Sequence, residues 1–508
     1  MNIIDFNDVS YTYPRSKEKA LDKVKISVVQ GEFLALMGET GSGKTAFCKL
    51  INGVIPLLCG GRMSGTVTVD GICTDKSSVP HLALKVGTVM DDPDAQLFTS
   101  SVREEAAFGP ENLLLPPDEI IKRIEYALGA VGLKGFEDRN PLNLSGGEKQ
   151  RLAIAAALSM KGTILVLDEP LCRLDPQGAE EVLSVLKDLQ KNYKITIVMA
   201  AHDSALVSKY ADRVCILKKG KIAALDTAEI IFSDTKLLEN NGIQPLKIDN
   251  EFFLAESAED AKNAESGGEM SLEPNLFYSS AISAPFASSA ITICNLNFKY
   301  PAGTGINNIN LSVNEGEFAA LIGGNGCGKT TLLKCVTGLL RPCRGDVFIK
   351  GINTKDLSVS DISKDVGFVM QNPDTQLFTD SVFKEVSFAL KNMRLPKTEI
   401  KQRVQEALDA VELQDADAFP HALCRADMTK TVIACVLAMG CKIILLDEID
   451  VGNDYPGNIK IMNVLQSLAA KGFTIIFVTH NMFLAHEYAR RLIKLDRNGI
   501  VYDMRCGQ

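Results

Sequence analysis

The sequence contains the stretch Gly38-Glu39-Thr40-Gly41-Ser42-Gly43-Lys44-Thr45, and the pattern returns as Gly323-Gly324-Asn325-Gly326-Cys327-Gly328-Lys329-Thr330. The first copy follows a short apolar run, Phe33 to Met37, which leads directly into the glycines. Short apolar runs of this kind are typical of parallel strands that are buried on both faces. The two stretches therefore predict an α/β fold, built twice in one chain.

Three further landmarks repeat in the same order, which indicates two copies of one domain. They are the Pro-Asp-x-Gln-Leu-Phe strings at 93–98 and 373–378, the pairs Asp168-Glu169 and Asp447-Glu448, and the histidines His202 and His480. We expect one domain at 1–243 and a second at 290–508. Residues 249–273 between them hold eight acidic residues and one basic residue, so 244–289 is predicted to be an acidic flexible linker.

Composition narrows the functional classes. The chain has 508 residues and a formal net charge of −9, which argues against a broad basic face for nucleic acid. No apolar run approaches the roughly 18–20 residues that cross a bilayer. Its 13 cysteines include no CxxC pair, so we expect reduced thiols in the cytosol.

The glycine-rich stretches have the chemistry of a phosphate cradle. Their glycines let backbone N–H groups converge on a phosphate, and Lys44 and Lys329 can reach the β- and γ-phosphates of a nucleotide. The hydroxyls of Thr45 and Thr330 can ligate Mg²⁺. Both copies therefore predict a nucleoside triphosphate site.

The two acidic pairs end apolar strands. Asp168 and Asp447 can hold the Mg²⁺ shell. The neighbouring Glu169 and Glu448 can polarise an attacking water. These four carboxylates predict phosphoryl-transfer chemistry.

Two other features complete the pattern. His202 and His480 each close a β-branched strand after the acidic pair, a placement that favours a γ-phosphate sensor. Ser145 and Glu148 have capping-box spacing at a helix start, and such a start offers free N–H groups and a positive dipole end to an anion.

Together these motifs resemble the ATP-binding-cassette (ABC) ATPases, twice in one chain. The resemblance implies a P-loop NTPase fold in each copy, with a mainly parallel core sheet, an antiparallel β subdomain and a helical subdomain. It also implies ATP and Mg²⁺ as ligands and head-to-tail pairing of the two domains. In that pairing each ATP lies between the glycine-rich loop of one copy, called Walker A, and the signature segment of the other copy, which is 145–148 in the first copy. The nucleotide-contacting positions implied beyond the two loops are Tyr13, Ser145, Gly146, Gly147, Glu148, Tyr300 and Thr331, the two tyrosines stacking on adenine.

A narrower resemblance lies between the Walker A loop and the signature. The segments 371–378, beginning Gln371-Asn372-Pro373, and 101–112 are similar to those of energy-coupling factor (ECF) importer ATPases. This implies a membrane T-component and a small substrate-binding S-component as partners, with a vitamin or transition-metal ion as cargo. It also implies a role for Gln371 near Mg²⁺ and the attacking water, and a peripheral position on the cytoplasmic face of the membrane.

The two copies are unequal. The signature segment Ser145-Gly146-Gly147-Glu148 aligns with Cys424-Arg425-Ala426-Asp427 in the second copy. Asp91 stands where the second copy has Gln371. Ala46 replaces Thr331, and Asn453 replaces Leu174. Head-to-tail pairing collects Ala46, Asp91, Arg425 and Asn453 in one site. We expect the other, built from the second Walker A and B and the first signature, to be the hydrolytic site.

Two alternatives stay open at this point. One is a soluble twin-cassette factor that acts on ribosomes, although the acidic linker lacks the clustered Lys and Arg that phosphate backbones require. The other is a fused sugar-importer ATPase.

Overall fold

The structure, a computed structural model, describes residues 1–172, 174–246, 289–301, 303–496 and 499–505. Residues 1–246 are here called the first repeat and residues 289–505 the second repeat. The acidic residues of the predicted linker lie outside the described ranges, so the predicted domain boundaries stay predictions.

The described residues of each repeat form ten strands. Those of the first are β1 (Asn2–Thr12), β2 (Leu21–Val29), β3 (Phe33–Met37), β4 (Arg62–Val69), β5 (Ile72–Cys73), β6 (Val86–Val89), β7 (Ile164–Asp168), β8 (Thr196–Ala200), β9 (Arg213–Lys218) and β10 (Lys221–Thr227). Those of the second are β11 (Ser289–Lys299), β12 (Gly305–Asn314), β13 (Phe318–Ile322), β14 (Arg344–Ile349), β15 (Ile352–Asn353), β16 (Val366–Val369), β17 (Ile443–Leu446), β18 (Thr474–Val478), β19 (Arg491–Asp496) and β20 (Gly499–Arg505).

These strands form two sheets per repeat. The core sheets have the orders β10-β9-β3-β8-β7-β6 and β16-β17-β18-β13-β19-β20, with all pairs parallel except β9–β10 and β19–β20. The smaller sheets, β2-β1-β4-β5 and β12-β11-β14-β15, are antiparallel. The predicted mainly parallel core with an antiparallel subdomain is thus confirmed in both repeats.

Helices cover the sheets and form a separate cluster between β6 and β7 and between β16 and β17. In the first repeat they are Lys44–Ile51, Val54–Leu57, Val79–Ala83, Pro93–Gln96, Val102–Asn112, Pro117–Ala130, Gly146–Ser159, Pro176–Tyr193, Ser204–Tyr210, Ala228–Ser233 and Thr235–Asn240. In the second they are Lys329–Val336, Val359–Ile362, Val382–Asn392, Lys397–Ala410, Arg425–Met439, Tyr455–Ala470 and Met482–Tyr488. Short 3₁₀ turns occur at Thr74–Lys76, Pro141–Asn143, Thr354–Asp356, Pro373–Thr375 and Pro420–Ala422.

The sequence-based elements are close to those observed. Strand β3 has the predicted bounds and is buried at every residue. The apolar run from Ile195 to Met199 corresponds to β8, which begins and ends one residue later. Residues 122–130, whose apolar side chains recur at helical spacing, lie within the helix Pro117–Ala130, and Val131 is its C-cap.

The two repeats contact each other through their glycine-rich loops. The backbone N–H of Thr40 donates to Oδ2 of Asp454 at 2.7 Å, and that of Asn325 donates to Oδ2 of Asp175 at 3.2 Å. Asp175 caps the helix Pro176–Tyr193, and Asp454 caps the helix Tyr455–Ala470. Each loop therefore faces the N-terminus of a helix that belongs to the other repeat. This is the head-to-tail arrangement, made within one chain.

No helix in the described part of the chain is both long and apolar enough to cross a membrane.

Candidate active site

The glycine-rich loops join the central strand of each core sheet to the following helix. Gly38 and Gly323 have φ of 139° and 150°, and a Cβ on either would lie 2.1–2.2 Å from a backbone carbonyl oxygen, that of Leu217 or Leu495. Only glycine fits there without moving the backbone. Gly43 and Gly328 then cap the helices in the left-handed conformation, with φ of 113° and 105°.

Each loop encloses the buried ammonium of its lysine. Lys44 Nζ donates to the carbonyls of Gly38 and Glu39 at 2.9 and 3.1 Å. Lys329 Nζ donates to Gly323 and Gly324 at 2.8 and 3.1 Å. Burial lowers the pKa of Lys44, opposed by nearby acids that include Glu169. A bound phosphate would offer these ammonium groups a charged acceptor in place of neutral carbonyls.

A hydroxyl and a carboxylate meet beside each lysine. Thr45 Oγ1 donates to Asp168 Oδ1 at 3.2 Å. In the second repeat the side chain of Thr330 opposes the rise in the pKa of Asp447. Burial raises the pKa of both aspartates. Among the described residues, Oδ1 of Asp447 is buried without a hydrogen-bond partner. Hard oxygen donors with an unsatisfied buried carboxylate oxygen fit Mg²⁺.

A glutamate–histidine pair lies next to each aspartate. His202 Nε2 is 2.8 Å from Glu169 Oε1, and His480 Nε2 is 3.1 Å from Glu448 Oε1. Burial alone would raise the pKa of each glutamate, but the hydrogen bond and charge of its histidine, together with the nearby lysine, lower it. Both glutamates are therefore held as carboxylates that can accept a proton.

The two glutamates have different third partners. Gln371 Nε2 donates to Glu448 Oε2 at 2.8 Å, so Glu448 accepts hydrogen bonds from an amide and an imidazole. Asp91 holds the corresponding position in the first repeat, and its charge contributes to the raised pKa of Asp168. An ionised carboxylate cannot donate a hydrogen bond to Glu169.

The signature helices also differ. Ser145 and Glu148 form the predicted capping box at the start of Gly146–Ser159, with 3.3 and 2.7 Å between donor and acceptor. In the second repeat Cys424 makes no side-chain cap, and its thiol donates to Asp427 Oδ2 at 3.2 Å.

Two residues that head-to-tail pairing assigns to the site of the first glycine-rich loop make contacts inside the second repeat. The guanidinium of Arg425 donates to the carbonyl of Gln371 in its own repeat. Asn453 is buried, and its amide donates to the carbonyl of Ile449 at 2.8 Å. These two substitutions therefore also serve contacts inside the second repeat.

The aromatic positions lie at the edge of the loops. Tyr13 packs edge-on against Tyr11, and Tyr300 against Phe298, with ring centroids 4.9 and 4.8 Å apart. The Tyr300 hydroxyl is 3.3 Å from Oγ1 of Thr331. Adenine stacking by the two tyrosines stays a prediction.

A polar group behind Glu448 was missed by the sequence reasoning. Thr479 Oγ1 donates to Asp450 Oδ2 at 2.6 Å, and Asn458 Nδ2 donates to the Asp450 carbonyl at 3.4 Å. Within the described chain, Asp450 Oδ1 is buried without a hydrogen-bond partner. The corresponding residues of the first repeat are all apolar: Leu171, Ala179 and Ala201. Aligning the repeats past the acidic pair would have exposed this exchange.

Comparisons with known proteins agree with this geometry. The ABC transporter family pattern matches residues 21–172 and 306–450, which contain both glycine-rich loops and both acidic pairs. The chain belongs to the ABC transporter family. It is an ATPase, and its ATPase domains bind ATP.

Relatives of similar length support the assignment. An ABC transporter ATP-binding protein of Caldanaerobacter subterraneus subsp. tengcongensis is 34% identical over 98% of this chain and 91% of its own length. One from Methanosarcina acetivorans is 36% identical over 97% of this chain and 84% of its own. Both alignments therefore extend over both repeats of this chain.

Solved structures match single repeats. CbiO1 of Clostridium perfringens, part of the ABC transporter complex CbiONQ, is 31% identical and covers 51% of this chain and 99% of its own, with a TM-score of 0.44. The dimeric ABC transporter cassette MJ0796 is 29% identical and covers 43% of this chain and 99% of its own, with a TM-score of 0.39.

The buried Asp450 predicts a pH-dependent stability. Because burial raises its pKa, the folded ATPase binds this proton more tightly than the unfolded chain. The resulting stabilisation is present at low pH and is lost as pH rises from the ordinary Asp value through the raised one. Asp450→Asn should therefore reduce the fall in melting temperature between pH 4.5 and pH 8, measured by thermal unfolding.

The exposed Asp415→Asn serves as the control and should leave that fall unchanged. An Asp450→Asn protein with the same pH dependence as the unsubstituted one would contradict the prediction.

Proposed function

We propose that this ATPase is the motor subunit of an ECF-type importer. It would couple ATP binding and hydrolysis to uptake of a vitamin or transition-metal ion through a membrane T-component and a small S-component. The observation that carries the proposal is a pair of exposed aromatic patches, one on each repeat, directly after the Pro-Asp-x-Gln-Leu-Phe strings. On this proposal the chain lies on the cytoplasmic face of the membrane.

Each patch is a perpendicular pair of phenylalanines. Phe98 and Phe108 have ring centroids 4.8 Å apart, as do Phe378 and Phe388. Phe98 is 66% exposed and Phe378 is 63% exposed. Paired exposed aromatics of this kind mark an interaction site, since large apolar side chains gain free energy when a partner covers them.

A buried glutamate holds each patch in place. Glu105 Oε2 accepts hydrogen bonds from the backbone of Phe98 and Thr99 at 3.1 and 3.0 Å. Glu385 Oε2 accepts the matching pair from the backbone of Phe378 and Thr379, at 3.1 and 2.8 Å. The phenylalanines are thus presented by a fixed loop rather than by a loose one. Two equivalent, fixed apolar patches suit two apolar helices of one membrane partner.

The chemistry of the proposed motor is unequal at its two sites. Glu448, held by Gln371 and His480, would accept the proton of the attacking water. Thr330 and Asp447 would hold Mg²⁺, which supplies neutralisation of the phosphate charge when bound. Thr45, Asp168, Glu169 and His202 form the corresponding set at the other site, where Asp91 replaces the amide donor.

This asymmetry predicts unequal effects of two matched substitutions. Glu448→Gln should lower steady-state ATP turnover by about 10²–10⁴-fold, because the proton acceptor is removed from the site with the complete hydrogen-bond set. Glu169→Gln should leave most of the turnover. Phosphate release by the purified chain measures both, and equal losses would contradict the asymmetry.

The aromatic patches predict partner binding. Replacing Phe378 and Phe388 together by Ala should weaken retention of the membrane partner by at least about tenfold, given roughly 1.5–3 kcal/mol for each buried phenylalanine. Turnover by the isolated chain should stay unchanged, because neither ring contacts the glutamate–histidine pair. Tyr193→Ala, at an exposed aromatic on another helix, is the matched control.

The measurement is affinity purification from detergent-solubilised native membranes, with co-purifying proteins identified by mass spectrometry. A polytopic T-component with a small S-component, lost in the double variant, is the expected result. Ribosomal proteins without a membrane partner would instead favour a soluble twin-cassette factor. A pair of large permease subunits would favour a fused sugar-importer ATPase.

A further inference from the structure

The feature that extends this proposal is the arginine in the altered signature. Arg425 occupies the position of Gly146, at the first residue of the signature helix. Its Nη2 donates to the carbonyl oxygen of Gln371 at 3.0 Å. The side chain thus turns back into the second repeat and contacts the loop that follows β16.

The second repeat makes room for this side chain at Gly452. A Cβ on Gly452 would lie 3.2, 3.3 and 3.4 Å from Nε, Cδ and Cζ of Arg425, tighter than ordinary contact, and its φ is +77°. The first repeat has the two residue types exchanged, with Gly146 in the signature and Arg173 at the position of Gly452. Arg173 lies outside the described residues, so this comparison concerns sequence alone. A paired exchange of a large and a small residue indicates a packing site for Arg425, not a random loss of glycine.

The first repeat differs at the corresponding position. Gly146 lines a cavity of about 230 Å³ together with residues of the loop after β6, among them Asp91 and Pro93. The carbonyl of Asp91 accepts from the thiol of Cys172, with 3.7 Å between sulfur and oxygen. A thiol is a weak donor, whereas a guanidinium makes a charge-assisted hydrogen bond. Of these two described contacts, the one to the Gln371 carbonyl is therefore the stronger.

The anchored residue is the one that contacts Glu448. The Gln371 backbone is held by Arg425, and its side-chain amide donates to Glu448 at 2.8 Å. Glu448 in turn is 3.1 Å from His480. A continuous series of polar contacts thus runs from the altered signature to the proposed proton acceptor of the same repeat.

We propose that Arg425 is a positioning residue for hydrolysis in the second repeat, acting through Gln371. The residue that replaces a signature glycine for one ATP site then supports the chemistry of the other site. This inference rests on the proposed function, in that Glu448 carries the turnover.

The test uses the full chain carrying Glu169→Gln, so that turnover reports Glu448. In that background Arg425→Ala should lower kcat for ATP hydrolysis by about tenfold, the size expected for losing a hydrogen bond to a charged group. KM for ATP should change little if Arg425 acts through its hydrogen bond to the Gln371 carbonyl in the loop after β16. Arg425→Gln retains an amide donor and should keep a larger share of kcat.

A double-variant comparison separates positioning from general stabilisation. In the presence of Gln371→Ala, adding Arg425→Ala should have little further effect on kcat, because both substitutions break the same series of contacts. Independent, multiplying losses would overturn the proposal. Arg403→Ala, in an exposed ion pair on a neighbouring helix, is the control and should leave kcat unchanged in either background.

Arg425→Gly places in the second repeat the glycine that the first signature has. It distinguishes a role of Arg425 in the second repeat from a role at the site of the first Walker A loop. A lower kcat in the Glu169→Gln background supports the proposal. An unchanged or higher kcat in the Glu169→Gln background overturns the proposal. A rise in kcat confined to the Glu448→Gln background also overturns it, because that result would assign Arg425 to the site of the first Walker A loop. Full turnover by the Glu448→Gln chain alone would instead refute the asymmetry on which the inference rests.

Discussion

The arrangement of both sites depends on the side-by-side parallel pairing of three strands in each core sheet. In the first repeat β8 lies between β3 and β7, with Ala200 opposite both Leu36 and Asp168. In the second, β18 lies between β13 and β17. Parallel strands bring their carboxyl ends to one edge, and here those ends carry the phosphate loop, the acidic pair and the histidine. The short hydrogen bonds among these side chains follow from that shared edge.

The glycine at the end of the central strand is the second constraint. The carbonyl of the neighbouring strand passes so close to Gly38 and Gly323 that a single methyl group would displace it. This close approach turns the loop back over the lysine, whose ammonium then lies among carbonyls and beside a glutamate. Loop, lysine and glutamate thus form one packed unit in each repeat.

Much of this could be predicted from the sequence, because the motifs carry their own geometry. Gly-x-x-x-x-Gly-Lys-Thr fixes a strand, a turn and a helix, and the spacing of Ser145 and Glu148 fixes a cap that the structure contains. What the sequence could not give is the direction of individual side chains. The guanidinium of Arg425 lies against the carbonyl of Gln371, since Gly452, distant in sequence, provides the space, and neither contact could be inferred from the motif. The polar contacts of Asp450 likewise depend on Thr479, from a strand that joins it only in the folded sheet.

The cross-repeat hydrogen bonds have a consequence for how such an ATPase can change over generations. Thr40 with Asp454, and Asn325 with Asp175, place both halves of the head-to-tail pair on one polypeptide. In a symmetric dimer of identical chains every substitution appears twice, so an arginine in the signature would alter both sites together. Joining the halves in a single gene lifts that restriction: position 425 can diverge while Gly146 is retained, and every copy of the ATPase still contains one of each.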